Sequence, residues 1–79
     1  MYQIQSIVIN KHKMDLDKAI KWVHLHSYKL NKIDETENEY RFRQEDPKLL
    51  KSLGYTNYKT LLIDKIHDIK LIIVYKELP

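Results

Sequence analysis

Apolar residues recur at two different periods along this 79-residue chain. In "YQIQSIVIN", Tyr2 to Asn10, β-branched residues alternate imperfectly. Strand alternation would put Ile4 and Val8 on one face and Ile7 and Ile9 on the other. A strand apolar on both faces is predicted to be covered on both. The period changes in "MDLDKAIKWVHLHS", where Leu16, Ala19, Ile20 and Val23 line up as one helical stripe. Asp15 is the expected N-cap, and Asp17 suits the first turn. Ser27 then stands just past the helix, where a left-handed residue, usually glycine, is favoured.

Beyond the helix, "KLNKID" reads as a short extended segment and "ETEN" as a turn. "EYRFRQ" follows as a strand with Tyr40 and Phe42 on one face and Arg41 and Arg43 on the other. In "DPKLLKSLGY", Asp46 is a cap, Pro47 a first helical residue and Gly54 a stop, so a short helical turn is predicted. The arms Tyr58–Ile63 and Ile69–Lys76, joined through "DKIHD", form a closing hairpin. The expected fold is α+β: one small domain, 1–79, with an antiparallel sheet of about four strands. One main helix packs on one face, and the chain ends in the hairpin.

The hairpin raises a question of surface. With Leu71, Ile73 and Tyr75 turned toward the helix, Ile72 and Val74 face away. If Tyr58, Thr60 and Leu62 point inward in the other arm, Leu61 and Ile63 join them outside. Leu61, Ile63, Ile72 and Val74 would then make an apolar patch, a partner surface unless the first strand or the Pro47–Gly54 segment covers it. Arg41, Arg43, Lys59 and Lys70 would form its basic rim.

Composition narrows the chemistry. The chain has no cysteine, which removes disulfides, thiolate metal sites and thiol nucleophiles, and fits a reducing compartment. The formal charge of +3 permits nucleic-acid binding without arguing for it. No apolar run approaches the ~20 residues of a membrane span, and the N-terminus does not read as a signal peptide. His24 and His26 are too close in sequence to meet on one face of a helix, and His12 and His67 lie in loops, so no metal site is expected. The carboxylates cluster in "DETENE" and "EDP", a turn and a cap, and no nucleophile, base or phosphate-cradling loop accompanies them. No catalytic residue, cofactor or small-molecule substrate is predicted.

Three stretches, "LDKAIKWVHLHSYK", "KIDETENEYRFRQEDP" and "YKTLLIDKIHDIKLIIVYK", together resemble a small domain that recurs in tailed-phage proteins and in large DNA viruses. In phages that domain accompanies head assembly and maturation. The resemblance implies a viral origin and a non-catalytic module, placed in a virion or the host cytoplasm. The chain departs from the pattern at Ser27 and Val74, where glycine is common, at Leu61, where lysine is common, and in its longer hairpin loop. The leading expectation is therefore a docking or structural protein with a protein partner or its own copy. The alternatives are a nucleic-acid-binding accessory protein using the basic face, or an inhibitor of a host enzyme.

Overall fold

A computed structural model of the chain describes residues 1–76. Five antiparallel strands form one sheet: β1 (Tyr2–Asn10), β2 (Lys32–Glu35), β3 (Glu39–Arg43), β4 (Asn57–Asp64) and β5 (Ile69–Tyr75), in the order β2-β3-β1-β5-β4. Two helices, α1 (Leu16–Leu25) and α2 (Pro47–Ser52), cover opposite faces. The class is as the sequence predicts. The sheet gains a strand from "KLNKID", and the predicted helical turn is a short second helix.

The first strand in sequence lies in the middle of the sheet, which explains its apolar character on both faces. Ile7 and Ile9 meet Ala19 and Val23 of α1, together with Tyr40, Phe42 and Ile69, in the main core. Val8 faces the other way, directly between Arg41 and Lys70, and is buried beside their aliphatic stems. Ile4 departs from the predicted alternation. Ile4 pairs with Ile73 and Ser6 with Ile72, so Gln5 is an extra residue in a bulge. That extra residue brings Ile4 onto the α1 side with Ile7 and Ile9. The Gln5 carbonyl is used instead by the end of β3, accepting from the Gln44 backbone N–H at 2.8 Å.

Both helices start on an aspartate and stop by the same device. Asp15 accepts from the Lys18 N–H at 2.9 Å, and Asp46 from the Lys48 N–H at 2.9 Å. At the end of α1, Ser27 has φ +62°, the left-handed conformation predicted for it. The Tyr28 N–H donates to the Val23 carbonyl and the Ser27 N–H to that of His24, both at 3.0 Å. This is the paired hydrogen-bond pattern of a Schellman stop. At the end of α2, Gly54 has φ +95°, Tyr55 donates to Leu50 and Gly54 to Lys51, again at 3.0 Å. In each case the next residue is a tyrosine folded back onto an apolar cluster.

The two stops differ in the residue that carries the strain. Serine pays a Cβ penalty in the left-handed region that glycine does not. Ser27→Gly should raise stability by about 1 kcal/mol, and Gly54→Ala should lower it by about as much. A Cβ at Gly54 would meet only the end of the Lys76 side chain at 3.6 Å, so that loss is conformational, not steric. Urea unfolding of both variants checks the pair; shifts of the same sign would contradict the geometry.

Candidate partner interface

The hairpin register decides where the predicted surface residues lie. Directly opposed residues of an antiparallel pair share a face. Leu61 is opposite Leu71, which packs on the α1 core, so Leu61 is on the α1 side. Ile72 is opposite Thr60, and Val74 opposite Tyr58, on the other side. Ile63 is the extra residue of a second bulge, between Leu62 and Asp64. The predicted patch of Leu61, Ile63, Ile72 and Val74 is therefore split between faces. The β4 arm is inverted relative to the sequence reading: Tyr58, Thr60 and Leu62 face away from α1, and Lys59 and Leu61 face toward it. Three consecutive apolar residues, Leu61, Leu62 and Ile63, fit either facing, so alternation alone could not choose between them.

Val74 is not free in any case. It is 6% exposed and packed with Leu50 and Tyr55, the contribution of α2 and its stop. The Lys76 ammonium lies over the Tyr55 ring, 4.8 Å from its centre. The Pro47–Gly54 segment thus covers the end of the face that the sequence left open.

The basic rim is likewise divided. Arg41, Arg43 and Lys70 share the α2 side, with Lys32 opposite Arg43, whereas Lys59 is opposite Ile73 on the α1 side. Three of these four cations on the shared face have a carboxylate at hand. Arg41 meets Glu39 at 3.1 Å, Arg43 meets Asp34 at 3.7 Å, and Lys70 meets Asp68 at 3.5 Å. These exposed pairs add little stability, but they balance the local charge. Tyr40 and Phe42 are buried against α1, so neither of these two rings is available for stacking on bases. "EYRFRQ" has a dry face and a charge-balanced wet one. Its last residue has a structural task. The Gln44 amide accepts from the Lys29 N–H at 2.8 Å and donates to the Lys29 carbonyl at 3.0 Å, tying the exit of α1 to the end of β3.

The histidines have local partners. His26 stacks on Trp22 with ring centres 3.9 Å apart, and its Nδ1–H donates to the Trp22 carbonyl at 2.7 Å. Trp22 is half-buried against the core and also stacks on Tyr28. His12 Nε2 lies 3.1 Å from the Asn38 side-chain oxygen, and His67 Nδ1 lies 2.9 Å from Asp64. Among the described residues, no three His, Asp or Glu side chains gather as a metal site. No helix among them is long and apolar enough to cross a membrane.

The hairpin loop is ordered by its two aspartates. Asp64 accepts from the His67 N–H at 3.0 Å and from the His67 ring; these bonds hold its carboxyl below the ordinary value. Asp68, at φ +52°, accepts from the Asn10 amide at 3.0 Å, and that bond, with Lys70 nearby, lowers its carboxyl too. A carboxyl lowered by folding stabilises the fold above the unfolded value of ~3.9, and that contribution is lost as pH falls through the lowered value. Acid should therefore loosen the loop from the end of β1 before it reaches the core. In an NMR titration, Asn10→Ala should raise the Asp68 midpoint toward the unfolded value. An unmoved midpoint would contradict the assigned cause.

What remains open to a partner is the far edge of the sheet. Along the hairpin, Tyr58, Leu62, Ile63, Ile66 and Tyr75 are exposed, and among the described residues no element pairs with the outer edge of β4. The opposite edge, β2, has four residues, of which Lys32, Asp34 and Glu35 are charged. The fold and surface define a small α+β sheet domain with one edge guarded by charge and the other bare. Comparison with protein-family models, curated proteins and solved structures finds no match to this chain.

Proposed function

We propose that the chain is a non-enzymatic docking module that takes its place in a larger assembly, a virion or the machinery that builds one. The observation that carries the docking reading is the exposed apolar hairpin: Tyr58 and Leu62 project from the α2 side of the edge strand β4, with Ile63 in its bulge and Ile66 in the following loop. Apolar side chains left in water forgo roughly 25 cal/mol per Å² of burial, and a domain with so small a core gains stability when a partner covers them. The viral setting rests on the sequence resemblance of Leu16–Lys29, Lys32–Pro47 and Tyr58–Lys76, and the proposed location is the particle or the host cytoplasm.

The nucleic-acid alternative uses Arg41, Arg43 and Lys70. Its weakness is that each of these already meets a carboxylate of the same chain. Cross-linking mass spectrometry in producing cells tests the docking reading, because Lys59 and Lys65 flank the exposed apolar residues. Cross-links from these lysines to a component of a particle, or to the chain's own copy, are expected. Cross-links to one host enzyme would move the reading to an inhibitor, and protection of the lysines only by nucleic acid would overturn docking.

A further inference from the structure

The outer edge of β4 pairs with no described element. A strand edge with free backbone N–H and C=O groups is a template for another strand, and proteins blunt such edges with charge, proline or brevity. β2 has two of these protections, being short and charged. β4 has eight residues, no proline, and a single charge, Lys59, before its bulge. The bulge at Ile63 ends the regular ladder, which runs from Asn57 to Leu62 with Thr60 near its middle.

We infer that two copies of the chain pair through β4, antiparallel, with Thr60 on the two-fold axis. The inference rests on the docking reading and assigns its partner. In this register Thr60 meets Thr60 of the second copy, and Tyr58 meets Leu62 twice. Tyr58 and Leu62 are 76% and 52% exposed, and both project from the α2 side. Cross-strand aromatic–aliphatic and threonine pairs of this kind stabilise antiparallel sheets. Lys59 meets Leu61 on the other face, so no like charges stand directly opposite. Moving the axis to Leu61 would carry a pair into the bulge, and moving it to Lys59 would set two lysines directly opposite each other. The two five-stranded sheets become one sheet of ten strands, with the charged β2 edges at both ends.

The absence of cysteine makes the register directly testable. Opposed Cα atoms in an antiparallel pair are about 4.5–5.5 Å apart, within disulfide range. Thr60→Cys should therefore give a disulfide-linked dimer under mild oxidation. Leu62→Cys should not, because the two Leu62 positions lie about four residues, or ~13 Å, apart. Sedimentation of the unaltered chain should show the mass doubling as concentration rises. Tyr58→Lys with Leu62→Lys should return it to monomer. Tyr58→Glu with Leu62→Lys should keep the dimer, since opposite charges then face each other across the axis. Circular dichroism of each variant should match the parent, as both positions are exposed.

A monomer at every concentration with no Thr60→Cys dimer overturns self-pairing. Docking itself then still stands if the hairpin lysines cross-link to a different protein, and falls if they do not. Dimers formed through Leu62→Cys in place of Thr60→Cys overturn the register and the inference with it.

Discussion

Phe42→Ala should cost about 3–5 kcal/mol, the range for a large aromatic truncated in a well-packed core. Phe42 is fully buried in β3, opposite Ile7 on one side and Ile33 on the other, beneath Val23 and Ala19 of α1. The ring is the largest of the fully buried side chains, so nothing nearby can collapse to fill its space. Small domains are stable by only about 5–15 kcal/mol, and this one has a limited core. The variant should therefore show a large fall in its urea midpoint with little change in slope. A loss under about 1 kcal/mol would mean that α1 rests on a different part of the sheet.

Val74→Asp carries the second large effect, on the order of 3 kcal/mol, because it sets a carboxylate among apolar side chains in a buried site. The carboxylate would face Leu50 and Tyr55 where Val74 is now buried. An outward position on a bare face would tolerate the same change within about 0.5 kcal/mol. The two values separate the covered Val74 of the fold from the open one that alternation alone suggests. Thermal unfolding by circular dichroism decides between them, and a near-neutral variant would mean that α2 does not pack where it is placed.

The parts of the fold that were legible in the sequence are those with a local signal. Asp15 and Asp46 mark helix starts by an oxygen that reaches a nearby N–H, and Ser27 and Gly54 mark ends by the backbone they must adopt. The alternation in "EYRFRQ" separated Tyr40 and Phe42 from the arginines correctly, since polar and apolar residues differ sharply there. Non-local features were not legible. The bulge at Gln5 reversed the facing of Ile4, and no residue type announces such an insertion. In β4, apolar residues occur at both parities, so the facing depends on pairing with β5. Val74 was placed outward correctly, and its cover is the Pro47–Gly54 segment, one of the two covers the sequence offered. Of the four residues expected in one patch, Ile72 and Val74 face away from α1 as read from the sequence, Leu61 faces toward it, and Ile63 sits in the bulge.

Salt dependence of association tests the account's central claim, that the hairpin docks by apolar and backbone contact and not by charge. The chain would be titrated against itself, and against the assembly it is recovered with, as salt is raised from about 50 to 500 mM. Apolar docking predicts affinities that change little across this range. Binding through Arg41, Arg43, Lys32 and Lys70 to phosphates would instead release counterions and lose affinity along a log–log slope of about −3 to −4, nearly one for each phosphate neutralised. A flat profile is the predicted result; that steep slope would contradict the account.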